Sequence, residues 1–289
     1  MHDFLLSILL GIVEGLTEFL PVSSTAHLRI AEALFKLDLH DSFWKMYTIV
    51  IQLGAILALP VYFWKRILKF LRTFPAGERG ERTILTHPLS LTMIAFVITA
   101  GPAWALKKQI GENLENLWVI SWAILLGGIV MWIVDLACTR PRVAHTEEMN
   151  LPQAAWIGAV QILSAVFPGV SRSMATIAAG QTAGLSRPAA LEFSFFLSMP
   201  TMAVATLYDL YKTIAPNRRT ALEGNLAPLA VDAHQWIVLA IGFVVSFIVA
   251  WAVVAWFMRW VRGRGFVPFA IYRVILGVVM LISLMRGFI

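Results

Sequence analysis

Two apolar segments of this chain, 4–20 and 152–167, barely reach the length of a membrane crossing, carry polar groups, and each runs into a proline. A spanning helix needs roughly 17 to 25 mostly apolar residues, so both read as arms of re-entrant helix–turn–helix hairpins, each followed by a second short helix. The two also resemble each other: GIVEGLTEFLPVSS at 11–24 recurs as GAVQILSAVFPGVS at 158–171. With Pro21 set on Pro168, Gly11 meets Gly158, Glu14 meets Gln161, Thr17 meets Ser164 and Ser24 meets Ser171. Interrupted segments at corresponding places in two halves point to a midplane site lined by broken helices. Irregular backbone survives at that depth only against protein or a water-filled cavity. The repeat therefore predicts a cavity.

The rest of the chain has the composition of a membrane protein, 59% hydrophobic and 14% charged over 289 residues, with mean hydropathy +0.76. A soluble domain has no use for so much apolar surface. Six stretches are long enough to span, at 44–64, 89–106, 117–137, 189–208, 236–257 and 266–285. The expected fold is an all-α polytopic membrane protein, six transmembrane helices plus two re-entrant hairpins, in one domain over 1–289. Its inverted repeats are 1–137 and 138–289, because an odd number of crossings in the first half inverts the second. Met1-His-Asp has no basic n-region and no small-residue cleavage site follows, so the first segment is expected to stay in the mature fold.

The net charge of +6 sits in short loops at helix ends, as at Lys65-Arg66, Lys107-Lys108 and Arg259/Arg262/Arg264. These are anchors and topology signals, not a nucleic-acid surface. The most basic loop, 65–88, is expected inside the cell together with 138–152 and 258–265, which puts 107–116 and 209–235 outside. Lys212, Arg218 and Arg219 run against that bias. Trp44, Trp64, Trp236, Trp256 and Trp260 fall near span ends, where interfacial belts form. The single cysteine, Cys138, excludes an intramolecular disulfide and a cysteine-built metal cage.

Glu14 and Glu18 lie one turn apart on one helix face. Intramembrane carboxylates are costly and these two repel, so a cation is expected between them. Oxygen ligands favour Mg²⁺ or Ca²⁺ over zinc; snorkelling to the interface, an arginine partner or a proton relay are the other readings of the pair. Beyond Pro21, Ser23, Ser24 and Thr25 are expected to cap a new helix, with His27 sharing a face with Ser24. A hydroxyl beside an imidazole and a metal suits a nucleophile or a phosphate ligand, with His27 as general acid or base. The second hairpin reads PGVSRSMAT at 168–176. Gly169 permits close backbone approach, Ser171 and Ser173 can cap the next helix, whose first amides attract anions, and Arg172 offers a fork matched to phosphate oxygens, with Thr176 one turn on. Carboxylates with a cation on one hairpin and an anion cradle on the other make a metal–phosphate site, and the bilayer makes the substrate lipid-linked.

The stretches EGLTEFLPVSSTAHL at 14–28, IQLGAILA at 51–58, PGVSRSMAT at 168–176, EFSFFLSMP at 192–200 and FVPFAIYR at 266–273 together resemble the undecaprenyl pyrophosphate phosphatases that confer bacitracin resistance in bacteria. The resemblance covers essentially the whole chain. It implies a multi-pass enzyme of the bacterial inner membrane that hydrolyses the C55 pyrophosphate to the monophosphate carrier of cell-wall precursors, with a divalent cation and a site open to the periplasmic side. It assigns metal and catalysis to Glu14 and Glu18, nucleophilic or proton-transfer roles to Ser24 and His27, and phosphate binding to Ser171, Arg172 and Thr176, with Arg273 as a further contact. Ser23, Thr25, Gly169 and Ser173 complete the expected phosphate cradle. Ala26 stands where glycine is common and Met174 where a smaller residue is usual. The expected partners are the polyprenyl pyrophosphate and membrane lipid, with a homodimer left open. A transporter or flippase of phospho-lipids is the alternative use of such a cavity. The histidine-based lipid phosphatases are excluded by the lack of a PSGH stretch.

Overall fold

The computed structural model describes residues 2–35, 37, 41–78, 80–114, 116–214 and 231–287. Among the described residues there are twelve α-helices, a 3₁₀ turn at Thr146–Glu148 and no strand beyond an isolated Val143–Leu185 bridge. In chain order the helices are α1 (His2–Thr17), α2 (Ser24–Leu34), α3 (Ser42–Tyr62), α4 (Trp64–Thr73), α5 (Pro88–Ala105), α6 (Lys107–Leu114), α7 (Leu117–Ala137), α8 (Leu151–Val166), α9 (Arg172–Thr182), α10 (Arg187–Ile214), α11 (Ala233–Gly263) and α12 (Val267–Met285). Six of them, α3, α5, α7, α10, α11 and α12, are long and apolar enough to cross a membrane. They coincide with the six expected spans. The largest boundary differences are at the ends of α10, Ile214 against 208, and α11, Gly263 against 257; the 31 residues of α11 extend well past a hydrocarbon core of about 30 Å at 1.5 Å per residue. Arg218, Arg219 and the turn at Pro216 lie outside the described residues.

Local chemistry explains where these helices start. Asp41 caps α3 through the Phe43 amide, and Asn150 with Gln153 and Asp232 with Gln235 form reciprocal capping boxes for α8 and α11, each satisfying amides that a helix terminus leaves open. α1 and α8, 16 residues each, are about 24 Å long and fall short of the hydrocarbon thickness. α2 and α9 have 11 residues each. The two short-helix pairs are compatible with re-entrant hairpins.

Small residues let the hairpin arms sink against the spans, as helices in lipid must pack without a hydrophobic driving force. A Cβ on Gly15 would lie 2.7 Å from Val249 Cβ and 2.8 Å from the Ser246 carbonyl, so α1 sits directly on α11. Beside it Tyr47 of α3 donates to the Ser7 carbonyl at 2.7 Å and Ser7 donates to the Val238 carbonyl at 2.7 Å. On the other arm Thr99 of α5 donates to the Gly158 carbonyl of α8 at 2.7 Å, and Gln161 donates to Thr99 at 3.0 Å. These buried donors each meet a backbone or hydroxyl acceptor, while Gln161 Oε1 is buried without a partner.

One end of the bundle is tied by charges. Buried Asp135 of α7 accepts from Arg187 Nε at 2.6 Å, Gln181 Nε2 at 3.1 Å and the Phe266 amide at 2.8 Å, joining α7, α9, α10 and the start of α12. At the same end Arg66 on α4 pairs with Glu147 and, at 2.7 Å, with Glu192. Burial alone would raise the Glu147 carboxyl, but its hydrogen bonds to Arg66 and to backbone, with the charges of Arg66 and Lys69, together outweigh it and hold that group below its ordinary range. The opposite end carries the Asp3–His234 contact at 3.1 Å. Cys138 is the residue that ends α7.

Candidate active site

The two hairpin tips meet, and Glu18 is where they join. It follows the last turn of α1, its amide bonded to the Glu14 carbonyl at 2.9 Å. Its Oε2 accepts the Ser24 hydroxyl at 2.6 Å, and its Oε1 accepts Arg172 Nη2 from the second hairpin at 3.2 Å. The Glu18 side chain is 4% exposed and that of Arg172 12%, so the pair is largely withdrawn from solvent. Ser173 adds a second tie, donating to the Leu20 carbonyl at 3.0 Å.

Both tips turn through a serine on the positive-φ side of the map, Ser23 at φ 75° and Ser171 at φ 70°. Such a conformation costs a side-chain-bearing residue on the order of 1–3 kcal/mol and is found mostly at functional sites. The corresponding serines are thus Ser23 and Ser171, each directly before its helix, rather than Ser24 and Ser171. The shift of one residue comes from Gly169. At φ +100°, and with the Ile120 carbonyl where a Cβ would stand, only glycine fits this turn. Ser24 and Arg172 consequently hold the same place, the first residue of α2 and of α9.

The expected capping differs between the tips. Ser171 accepts from the Met174 amide at 3.4 Å and contacts the Ser173 hydroxyl at 3.0 Å. Ser23 makes no side-chain cap, and the Ser24 hydroxyl turns back to Glu18. The first amides of α2 are left for another acceptor, as at an anion-binding helix start. Thr25, half-buried, sits on that same turn.

His27 does not bond Ser24. Its Nδ1 lies 2.7 Å from the Ser23 carbonyl and its Nε2 2.6 Å from the Tyr272 hydroxyl. Thr176 is fully buried, its hydroxyl 2.9 Å from the Arg172 carbonyl and 2.6 Å from Ser194 Oγ. Arg273, also fully buried, donates to the carbonyls of Pro21 at 3.3 Å, Ala123 at 3.2 Å and Gly169 at 2.8 Å. It thereby holds both tips against α7. Ala26 packs against Ile120, Ile124 and Met280, and Met174 fills the space beside Gly127, so the two departures from the resembling family are absorbed by packing.

Unsatisfied groups of both signs remain. Glu14 is 0% exposed and neither of its carboxylate oxygens has a hydrogen-bond partner, and Arg172 Nη1 and Arg273 Nε are likewise buried without one. A buried carboxylate without a partner is costly, and Glu14 lies within electrostatic reach of Glu18 and Glu32. Its orphaned oxygens fit a cation. Among the described residues no group of three or more His, Cys, Asp or Glu could hold one alone, so further ligands would be hydroxyl, carbonyl, substrate or water oxygens. Sequence reasoning missed Tyr272, Ser194 and the Leu20 carbonyl. Tyr272 stood beside Arg273 in the FVPFAIYR stretch, the one signal that pointed there.

Comparison with known proteins agrees over nearly the whole length. The family model described as bacitracin resistance protein BacA matches residues 7–279. An undecaprenyl-diphosphatase of Koribacter versatilis (strain Ellin345) is 60% identical over 282 residues, covering 97% of this chain and 98% of that protein. Those of Nitrobacter hamburgensis and Novosphingobium aromaticivorans are 40% and 42% identical, covering 99% and 97% of this chain and 98% of each relative.

Proposed function

The chain belongs to the bacitracin resistance protein BacA family, and from that membership and the geometry of its hairpin tips we propose that it hydrolyses undecaprenyl diphosphate to undecaprenyl phosphate and inorganic phosphate. The observation that carries the reading is Glu18, bonded at once to Ser24 and Arg172. A carboxylate on a serine hydroxyl is a base on a nucleophile, and an arginine beside it is a ligand for the phosphate under attack.

In this mechanism the diphosphate head group enters between the tips while the prenyl tail stays in lipid. Arg172, through its unpartnered Nη1, and the uncapped amides of α2 take up the charge of the terminal phosphate. Ser24 Oγ attacks the terminal phosphorus and Glu18 Oε2 takes its proton. The bond from that phosphorus to the bridging oxygen breaks, Glu18 passes the proton on to that oxygen, and undecaprenyl phosphate leaves, so that Glu18 is a carboxylate again. Water then cleaves the phosphoserine with Glu18 as base, returning the hydroxyl to Ser24. Glu14, with Glu18, would hold a divalent cation, Mg²⁺ or Ca²⁺, which when bound supplies neutralising charge for the phosphates. Glu14 is the freer ligand, since each Glu18 oxygen already accepts a hydrogen bond.

We place the site on the periplasmic side of the inner membrane. The basic segment from Lys65 to Arg82 is at the end opposite Asp3 and His234, and basic loops favour the cytoplasm.

Detergent-purified protein tests the proposal, because hydrolysis needs no sealed membrane and transport does. Phosphate release from a prenyl diphosphate should be strong without a bilayer, fall at least about tenfold in EDTA and return with added Mg²⁺ or Ca²⁺. Binding of the lipid without release by a folded protein would favour a transporter, and release indifferent to EDTA would remove the cation from the account.

A further inference from the structure

We propose that Tyr272 is a positioning residue of this site: its hydroxyl donates to Nε2 of His27, holds the ring with Nδ1–H on the Ser23 carbonyl, and so anchors the strained Ser23 turn that presents Ser24. The inference rests on the phosphatase reading for its catalytic meaning, though the hydrogen-bond pattern does not.

The assignment follows from donor and acceptor chemistry. The Ser23 carbonyl can only accept, so the 2.7 Å contact to Nδ1 requires a proton on that nitrogen. In the neutral ring Nε2 is then the acceptor. Tyr272 Oη, 2.6 Å away, must be its donor. The two rings lie nearly parallel, 15° apart with centroids 5.6 Å from one another, so contact and hydrogen bond fix the imidazole together.

The consequence reaches the nucleophile through the backbone. Ser23 sits at φ 75°, a conformation its neighbours must enforce, and its carbonyl accepts both His27 Nδ1 and, at 3.3 Å, the His27 amide. A ring without its Tyr272 contact is free to rotate away from that carbonyl and release it. The tip would relax, and Ser24, the next residue, would leave the 2.6 Å contact with Glu18. Tyr272 lies 245 positions away on α12, whose next residue, Arg273, holds both tips by their carbonyls. The two neighbours assemble the site without belonging to either hairpin. An aromatic residue kept only for its place in the membrane would need the ring and not the hydroxyl.

Tyr272→Phe removes the hydroxyl and keeps the ring. ¹⁵N spectra of histidine-labelled protein in detergent should show His27 of the wild type as the neutral Nδ1–H form with a hydrogen-bonded Nε2, and the variant with its Nε2 resonance moved toward that of an unbonded ring nitrogen. Turnover of a prenyl diphosphate should fall about tenfold in kcat with KM within about twofold, as expected for lost placement of the reacting group rather than lost binding. Tyr272→Leu should do no worse in kcat than a few-fold below Tyr272→Phe, since the hydroxyl carries the effect. A wild-type ring protonated on Nε2, a Tyr272→Phe protein with an unchanged Nε2 resonance, or one with wild-type kcat would each overturn the proposal. Should the wild type release no phosphate while its His27 Nε2 resonance depends on Tyr272, the phosphatase reading fails and the hydrogen-bond assignment stands.

Discussion

Ser24→Ala should lower phosphate release from undecaprenyl diphosphate on the order of 10³-fold or more, the scale seen when the nucleophile of a covalent mechanism is deleted. Lipid binding should remain, because the loss is confined to a step made only in the transition state. The hydroxyl has a single hydrogen bond, to Glu18 Oε2 at 2.6 Å, and does not cap α2. Its removal therefore leaves the fold nearly untouched, and the melting temperature of the variant should stay within a few degrees of wild type. Release measured in detergent beside a thermal melt separates the two effects. A Ser24→Ala protein with substantial turnover would point to water as the attacking group.

Arg172→Ala should cost on the order of 10²–10³-fold in kcat/KM, and here binding suffers as well, since the guanidinium faces phosphate in both ground and transition states. Arg172→Lys should restore only part of the loss: an ammonium keeps the charge but cannot address Glu18 and a phosphate with one planar fork. The variant also leaves Glu18, 4% exposed, without its cation, so some stability should be lost along with activity. Initial rates over a range of prenyl diphosphate concentration distinguish this pattern from that of Ser24→Ala.

The six spans were legible because hydropathy in a bilayer is nearly decisive: each must be long and apolar, and no other element can hide its backbone. Glu14, Glu18 and Arg172 were legible for the converse reason, that charge at membrane depth needs a purpose. Pairing the tips by Pro21 and Pro168 misplaced the serines by one residue, since Gly169 adds a residue to a turn whose shape depends on the Ile120 carbonyl, and that carbonyl is invisible to a periodicity argument. Spacing put His27 on the face of Ser24, and the ring instead found partners at Ser23 and Tyr272. Helical spacing says which side chains can meet, not which partner arrives from elsewhere. Thr176 shows the same limit: one turn from Arg172 it suited a phosphate, yet Ser194 of α10 takes its hydroxyl. Arg273 came into view only through the family resemblance, as a phosphate contact, whereas the three backbone carbonyls that claim it come from three distant segments.

The central claim is that two hairpins from opposite halves of the chain act as one catalytic unit, and the measurement that tests it most directly is the double-mutant cycle of Glu18→Gln and Arg172→Ala on kcat/KM for prenyl diphosphate hydrolysis. Residues that work as a unit are strongly non-additive. The double variant should be about as slow as the slower single one, within roughly threefold. Losses that simply multiply would mean that the two residues act independently, and the joined site described here would be contradicted.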